Sequence, residues 1–347
     1  MPTFVGSGLS RTNMFRMSLF GALALGALLA TLSPVASAAA SCEIDGVQRV
    51  VAIGDVHGAY DRFVSILTAS GLIDNRQRWS GGKTHLVQAG DIVDRGPDSR
   101  KALDLLRRLE SEASRAGGQV HVLLGNHEVN RMLGDLRFTT PGEYEAFVTR
   151  DSEDMRLALI KQAKTDDRDA LLKQMPLGQV ELRVAFGREG TYGKWLRTLD
   201  TMVRINGVVF VHGGISAATA AMSCDAINKG VRRELTEDIE KTRSAPLVSL
   251  GARVDGPTNY RGLAQEPDSF ESRVDEILSQ QSARAIVTAH TLTPDGRVRV
   301  RFGGKVIQID TGMQPAYAPD GRASALEMSG SVFTAIYEDR RDTIGTW

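Results

Sequence analysis

The amino-acid sequence predicts a mixed α/β fold that contains a partly parallel β-sheet. In the first half of the chain, three short apolar runs recur about every 35 residues, each followed by a glycine-containing loop and a helical pattern. Such strand–loop–helix repeats are typical of βαβ crossovers. Towards the carboxyl end, apolar and polar residues alternate instead. This period of two predicts antiparallel strands that close a second sheet.

The first 38 residues are predicted to be an export signal rather than part of the fold. Arg11 and Arg16 precede an apolar run at 17–32, and Ala36 and Ala38 flank a serine in the pattern that signal peptidase reads. We therefore predict cleavage after Ala38 and an exported protein, periplasmic or secreted. A membrane anchor is the alternative, but the apolar run of 16 residues is shorter than the roughly 20 that span a bilayer. No membrane span is expected in the mature protein.

The chain contains two cysteines, Cys42 and Cys224. In an exported protein such a pair is compatible with one disulfide, and two unpaired thiols are the alternative. Cys42 also leaves lipoprotein anchoring as a minor alternative. Ala39 disfavours it, because a lipoprotein signal usually has a large aliphatic residue at that position.

Composition limits the classes of function. The 347 residues include 42 basic and 42 acidic side chains, and removal of the leader leaves a net charge of −2. This balance gives no positive field, so nucleic-acid binding is not expected. The simplest partition is one compact mature domain, 39–347, with a charge-dense helical insertion at 134–190. The insertion is interpreted either as a lid or recognition surface, or as helices that merely connect strands.

The elements follow in order from the apolar pattern. Five runs bounded by charge or glycine predict buried strands at 47–53, 84–88, 120–124, 208–211 and 285–289. Apolar residues at helical spacing predict helices near 63–72, 102–109, 192–202, 223–241 and 270–279. Alternation predicts the tail strands around 298–302, 307–309 and 332–336.

Each of the five buried strands is followed by side chains that can bind a metal, namely Asp55 with His57, Asp91, Asn126, His212 and His290. The carboxyl ends of strands in α/β sheets meet at one edge, so one fold can bring these groups together. Oxygen ligands with neutral imidazoles suit Mn, Fe or Zn rather than calcium, and a structural zinc cage would need cysteines. The set divides between two metal ions, with Asp91 as the bridge.

The positions of the histidines support a site at the strand ends. Four of the six stand just beyond predicted strands, whereas the other two lie inside strand runs and are interpreted as structural. The first group is His57, His127, His212 and His290, and the second is His85 and His121. A single histidine would favour a structural role, but four at equivalent positions indicate a site.

Five motifs resemble those of the phosphoprotein phosphatase family, within the calcineurin-like metallophosphoesterases. They are Gly-Asp-Val-His-Gly at 54–58, Gly-Asp-Ile-Val-Asp-Arg-Gly at 90–96, Gly-Asn-His-Glu at 125–128, His-Gly-Gly at 212–214, and His290. The closer likeness is to the Shewanella-like protein phosphatases, through Trp-Leu at 195–196, Tyr-Arg-Gly at 260–262 and Asp-Thr-Gly-Met at 310–313. The resemblance extends from about residue 47 to 337.

The resemblance implies a two-layer mixed β-sandwich flanked by helices, with a two-metal site at one edge. One metal would be bound by Asp55, His57 and Asp91. The other would be bound by Asp91, Asn126, His212 and His290. A metal-activated hydroxide would attack phosphorus, with His127 as general acid oriented by Asp94. The phosphate would be bound by Arg95, Asn126 and Arg261, of which Arg261 lies in the most variable loop.

The resemblance also implies the substrates, which are phosphorylated proteins (phosphotyrosine, phosphoserine or phosphothreonine) or small phosphomonoesters. A second reading is a nucleotide-type phosphodiesterase or pyrophosphohydrolase such as a dinucleoside tetraphosphate hydrolase. Those enzymes typically lack the aspartate that matches Asp94. A remote alternative is an inactive metal-binding recognition module. The tyrosine-containing carboxyl-terminal loop of eukaryotic Ser/Thr phosphatases has no clear counterpart, so regulatory subunits are not expected.

Overall fold

Two six-stranded β-sheets form the centre of the computed structural model, which describes residues 42–163 and 167–346. The predicted leader, 1–38, lies outside the described residues. The strands are β1 (Glu43–Ile44), β2 (Arg49–Ile53), β3 (His85–Gln88), β4 (Gln119–Val122), β5 (Met202–Ile205), β6 (Val208–Val211), β7 (Ala285–Thr288), β8 (Arg299–Arg301), β9 (Val306–Gln308), β10 (Ser324–Ser329), β11 (Val332–Tyr337) and β12 (Arg341–Thr346).

Helices cover the outer faces of the two sheets and form the insertion. They are α1 (Tyr60–Ala69), α2 (Ser99–Arg115), α3 (Asn126–Leu133), α4 (Pro141–Glu145), α5 (Ser152–Gln162), α6 (Arg168–Gln174), α7 (Gln179–Phe186), α8 (Thr191–Leu196), α9 (Cys224–Thr236), α10 (Ile239–Ser244), α11 (Gly262–Gln265) and α12 (Glu271–Gln280). Within 42–163 and 167–346, none of them has the length and apolar character needed to cross a membrane.

The first sheet has the strand order β12-β11-β10-β2-β3-β4. Strands β2, β3 and β4 run parallel, with Val51 opposite Leu86 and Leu86 opposite Val120. Strand β10 pairs antiparallel with β2, and β11 and β12 continue the antiparallel part. The three predicted strand–loop–helix units are therefore confirmed as the parallel half of a mixed sheet.

The second sheet has the order β1-β5-β6-β7-β9-β8. Strands β6, β7 and β9 run parallel, whereas β5 and β8 are antiparallel to their neighbours β6 and β9. The last two strands predicted to end at site residues, 208–211 and 285–289, therefore lie next to each other. Their carboxyl ends point in one direction.

Two predictions of the element order were wrong. The tail does not close a separate second sheet, because β8 and β9 join the second sheet while β10, β11 and β12 extend the first. A period of two shows that one face is buried but does not identify the partner strand. The segment 192–202 is not one helix either, since α8 ends at Leu196 and Met202 begins β5.

Alternate residues of the central strands belong to different layers of the core. In β2, Val50 and Ala52 face a cluster shared by both sheets, whereas Val51 and Ile53 pack on the opposite side with α1 and α2. The outer face of the second sheet packs in the same way beneath α9 and α12. Because successive strand residues point to opposite faces, a strand buried on both sides reads as the continuous apolar run seen in the sequence.

The insertion at 134–190 contains helices α4 to α7. Phe147, Leu182 and Phe186 are buried and belong to the same apolar cluster as α1 and α2. At the start of α4, Thr140 and Glu143 form reciprocal hydrogen bonds that cap the helix. The insertion is therefore attached to the core near both of its ends, through Phe147 after α4 and through α7.

Cys42 and Cys224 form a disulfide with Cα atoms 6.2 Å apart. The bond links the residue before β1 to the first turn of α9, and both residues are buried. Of the two alternatives left by the sequence, the structure shows the paired form. Strand β1 has only two residues, and the disulfide adds a covalent attachment to its pairing with β5.

Removal of this disulfide is expected to destabilise the protein. We predict that Cys42→Ser/Cys224→Ser lowers the free energy of unfolding by about 2–4 kcal/mol, because the cross-link restricts the unfolded chain. The measurement is urea unfolding of the mature protein followed by circular dichroism. Wild-type protein treated with a reductant serves as the control and should unfold at the urea concentration of the double variant. An unchanged midpoint after reduction would contradict the prediction.

Candidate metal and phosphate site

A cavity of about 830 Å³ lies where the loops after β2, β3, β4, β6 and β7 meet. The ten predicted site residues all come together here. Eight line the cavity: Asp55, His57, Asp91, Arg95, Asn126, His127, Arg261 and His290. The other two are buried next to lining residues, with His212 against Asp91 and Asp94 against His127.

Asp91 lies at the centre of the candidate metal ligands. Its Oδ2 atom is 3.1 Å from Nε2 of His212 and 3.7 Å from Nε2 of His57. Asp91 belongs to two groups of three possible ligands. The first group contains Asp91, His57 and His127, and the second contains Asp91, His212 and His290. One carboxylate therefore faces ligands from both sheets, which is the position a bridging ligand needs.

Asp55 stands at the side of the first group. Its Oδ2 lies 3.7 Å from Nε2 of His57, and its Oδ1 accepts a hydrogen bond of 3.1 Å from the N–H of His290. His127 completes the compact group around His57, and Oδ1 of Asp55 also lies 3.8 Å from Nδ1 of His212 in the second group. The predicted ligand Asp55 is close to the site, but its contacts connect it to both groups.

Backbone carbonyl groups orient the imidazoles. Nδ1 of His57 lies 2.9 Å from the carbonyl oxygen of Val93, and Nδ1 of His212 lies 2.8 Å from that of Ala89. An N–H at these positions leaves Nε2 of each ring as a lone-pair donor that faces Asp91. Nε2 of His290 instead lies 3.2 Å from a carbonyl oxygen, that of Asn259, so Nδ1 is its available donor.

The electrostatics of the cluster fit the binding of cations. Burial lowers the pKa of His57 to about 4 and that of His290 to about 2, so both imidazoles are neutral at pH 7 and can bind a metal. Burial also raises the pKa of Asp55, and the neighbouring Asp310 and Asp91 raise it further. Burial raises the pKa of Asp310 to about 6. Crowded buried carboxylates next to neutral imidazoles are a donor set that divalent cations neutralise.

His127 is held in place by two carboxylates. Its Nδ1 lies 2.7 Å from Oδ2 of Asp94, and its main-chain N–H donates to Oδ1 of Asp91 at 3.0 Å. Burial lowers the pKa of His127, but Asp91 and the hydrogen bond with Asp94 outweigh this and raise the pKa overall. The ring therefore keeps a proton readily, and its Nε2 faces the cavity as a proton donor needs to do.

Two arginines line the cavity, and their side chains make different contacts. The guanidinium of Arg95 lies 3.7 Å from the ring centre of Tyr317 and 5.1 Å from that of Phe138. Arg261 donates from Nη1 to the carbonyl oxygen of His290 at 2.7 Å and to Oγ1 of Thr291 at 3.0 Å. Stacking holds Arg95 at the cavity wall, whereas Arg261 braces the backbone of His290 and keeps only its remaining N–H groups for a ligand.

The sequence profile of the calcineurin-like phosphoesterases matches residues 48–294. The chain belongs to this family. It is a metallophosphoesterase, and the fold and donor set described above agree with that assignment.

Relatives of this metallophosphoesterase include phosphatases. Shewanella-like protein phosphatase 2 of Arabidopsis thaliana is 29% identical over 81% of this chain and 75% of its own length. The crystal structure of a cold-active protein-tyrosine phosphatase of a psychrophilic Shewanella species is 28% identical, with a TM-score of 0.70 over 88% of this chain and 82% of that one. A shorter match, 30% identical over 44% of this chain and 47% of its own length, is the symmetrical bis(5'-nucleosyl)-tetraphosphatase of Escherichia coli.

Several site residues of this metallophosphoesterase have an unusual backbone. The φ angles are positive at His57 (47°), Asp91 (54°), Asp94 (70°), Arg95 (67°) and His290 (64°). Left-handed conformations of such residues cost roughly 1–3 kcal/mol each and persist only where surrounding contacts fix them. Five of the nine non-glycine residues with positive φ in the described chain are therefore predicted site residues.

Glycines allow two of the site loops to touch. Gly90 has a φ of 91°, and a Cβ atom at this position would lie 2.5 Å from the main-chain nitrogen of Gly125. Any side chain would push the β3 loop away from the β4 loop. The glycine therefore brings Asp91 next to the start of α3, where His127 and Asn126 lie.

Glu128 is the main site residue that the sequence reasoning missed. The side chain is fully buried, and its carboxylate accepts four main-chain N–H groups. Oε2 accepts from Asp91 at 2.8 Å and Gly125 at 2.9 Å, while Oε1 accepts from Ile92 at 2.8 Å and Val93 at 3.2 Å. A glutamate at the third position of a helix is a capping signal that the sequence does show. The hydrogen bonds of Glu128 to the loop after β3 form only because the fold brings that loop next to α3.

Three further residues were missed. Arg131 forms a buried ion pair with Asp94 and another, at 3.0 Å, with Glu143 of the insertion. The carboxylate of Glu143 also accepts the N–H of Asp94 at 3.2 Å. Tyr317 comes from the loop before β10 and stacks on Arg95. The sequence carries no periodic or motif signal for any of these contacts.

Glu128→Gln tests the bonds to the β3 loop. The new amide places an NH₂ group against two buried main-chain N–H donors, and each unsatisfied donor costs about 1–3 kcal/mol. We expect the free energy of unfolding, measured with urea, to fall by about 2–5 kcal/mol. Glu145→Gln, an exposed change on α4, is the matched control and should have almost no effect. Equal stability of the two variants would show that these hydrogen bonds are not needed.

Proposed function

We propose that this chain hydrolyses phosphomonoesters of phosphorylated proteins, with two metal ions bound around Asp91. The observation that carries the proposal is the pair His127–Asp94 beside a carboxylate that faces ligands from both sheets. The Shewanella-like phosphatase and the protein-tyrosine phosphatase among the relatives support protein substrates, including phosphotyrosine. Phosphoserine and phosphothreonine are included as substrates.

The metal ligands are assigned by group. One ion would be held by Asp55, His57 and Asp91, and the other by Asp91, Asn126, His212 and His290. The mixture of carboxylate, amide and neutral imidazole donors suits Mn, Fe or Zn. When bound, such ions lower the pKa of water towards neutrality and withdraw charge from phosphoryl oxygens.

The side chains of the protein supply positioning and a proton. Arg95 binds the phosphate oxygens in a bidentate manner, and its stacking between Tyr317 and Phe138 reduces the entropy lost on binding. Arg261 and Asn126, which also line the cavity, bind the same phosphate group. His127 gives the proton on Nε2 to the leaving oxygen, a step worth about 10²–10⁴-fold in rate. Asp94 keeps the other nitrogen protonated and the ring in place.

The tetraphosphatase among the relatives supports a second candidate function, the hydrolysis of dinucleoside polyphosphates. It covers less than half of this chain, and Asp94, present here and hydrogen bonded to His127, is the residue those enzymes typically lack. This difference favours phosphomonoesters.

We also propose that the protein is exported and processed after Ala38. The leader pattern and the disulfide between Cys42 and Cys224 support this, since stable disulfides form in oxidising compartments. The expected result of expression in a bacterial host is a mature chain that begins at Ala39, measured by intact mass. A mass that retains residues 1–38 would contradict export, and a lipid adduct on Cys42 would indicate a lipoprotein.

A substrate panel tests the proposed function. The mature protein is loaded with Mn, Fe or Zn, and its turnover of a phosphotyrosine peptide, a phosphoserine peptide and a dinucleoside tetraphosphate is compared. We expect turnover of the phosphopeptides and its loss after treatment with a chelator. Turnover of the dinucleotide alone would favour the second candidate, and no turnover of any substrate would favour the inactive module.

Two variants assign the roles within the site. Asp91→Asn is expected to lose both bound metal and turnover, because the bridging carboxylate is gone. His127→Asn is expected to retain metal but lose about 10²–10⁴-fold in kcat, because the general acid is removed. His85→Asn is the matched control. Nδ1 of His85 lies 3.0 Å from Nε2 of His121, and neither residue lines the cavity. Wild-type activity of Asp91→Asn would refute the bridging role.

A further inference from the structure

Three large aliphatic side chains are exposed on the segment 245–255 at the edge of the cavity. Leu247 is 72% exposed, Val248 is 77% exposed and Val254 is 76% exposed. Leu247 and Val254 line the same cavity as His57 and Asp91. We call these three residues the apolar rim. Two members of the apolar rim therefore belong to the wall of the candidate site.

Hydrogen bonds and apolar packing fix the segment that carries the apolar rim to the rest of the protein. The carboxylate of Glu234 accepts the N–H of Leu250 at 2.6 Å and that of Gly251 at 2.8 Å. Ser216 donates from Oγ to the carbonyl oxygen of Asp255 at 2.7 Å. Leu250 and Ala252 pack against the main apolar cluster. The segment thus turns two of its apolar side chains inward and three outward in a fixed arrangement.

Three arginine side chains near the apolar rim form ion pairs with neighbouring carboxylates. Arg243 donates to Glu240 at 2.6 Å, Arg137 forms an ion pair with Asp135 at 2.6 Å, and Arg253 forms one with Asp255 at 3.1 Å. Within each of these three pairs the two charges offset each other. Binding at the rim would therefore draw its free energy from the burial of apolar surface.

We propose that the apolar rim binds an aliphatic or aromatic side chain of the substrate, close in sequence to the phosphorylated residue. This inference rests on the proposed function, because it takes the phosphate to be bound at Arg95 and Asp91. A phosphorylated polypeptide held there must leave the cavity across its edge, and its flanking residues then contact Leu247 and Val254. Partial burial of one leucine-sized side chain is worth about a tenfold preference in kcat/KM.

Three phosphotyrosine peptides of equal length test the proposal. Their flanking residues are leucine and phenylalanine, serine and asparagine, or aspartate and glutamate. For the wild-type protein, kcat/KM should be about tenfold higher for the apolar peptide than for the other two. Leu247→Ser/Val254→Ser should reduce this ratio to within about twofold. Leu157→Ser/Val184→Ser removes two exposed aliphatic residues that lie outside the cavity lining, and it should leave the ratio unchanged.

Free phosphotyrosine, which has no flanking residues, separates this inference from the proposed function. Its turnover together with equal kcat/KM for the three peptides would overturn the apolar rim as a specificity element and leave the phosphatase function intact. A preference for the acidic peptide, or an unchanged ratio in Leu247→Ser/Val254→Ser, would overturn it as well. No turnover of free phosphotyrosine, of any of the three peptides or of the phosphoserine peptide of the substrate panel would refute both proposals. If the wild-type protein sediments as a dimer and Leu247→Ser/Val254→Ser sediments as a monomer, the apolar rim would instead contact a second copy of the chain.

Discussion

The hydrogen bonds from the backbone at 91–93 to the carboxylate of Glu128 are the interaction on which the site depends. They join the loop after β3 to the first turn of α3, and they hold Asp91 in a left-handed conformation that it would otherwise avoid. Asp91 in turn accepts the N–H of His127 and faces His212 from the second sheet. A single buried carboxylate thus fixes the point at which the ligands of the two sheets meet.

Burial gives the site its chemical character. The carboxylates of Asp55, Asp91 and Asp310 lie close together and are almost completely buried, and burial keeps His57 and His290 neutral. An arrangement of this kind is unfavourable unless positive charge enters it. The fold therefore concentrates donor groups that divalent cations can bind.

The insertion contributes to this arrangement through charge as well as packing. Glu143 and Asp94 share Arg131, so the first helix of the insertion reaches the group that orients His127. Removal of one member of a buried ion pair leaves the other uncompensated, at a cost of about 3–5 kcal/mol. Helices that merely connect strands would not account for this ion pair between Glu143 and Arg131. Phe138, near its start, also covers one side of Arg95.

The sequence by itself determined the strands that lead into the site and most of the residues at their ends. Each buried strand reads as an apolar run, and the residues that follow it are constrained to one edge of a sheet, so Asp55, Asp91 and His290 could be placed near each other without coordinates. The same local signal could not assign the tail strands to their sheets. It shows that a face is buried but not which strand lies beside it.

Only the tertiary structure decided the contacts between residues far apart in the sequence. The pairing of Cys42 with Cys224, the stacking of Tyr317 on Arg95 and the salt bridge of Arg131 with Glu143 leave no periodic trace in the chain. Each depends on loops that are brought together by the packing of the two sheets and the insertion. For the central loop at 90–97, the sequence supplied the chemical groups, whereas Glu128 and the neighbouring loops set their geometry.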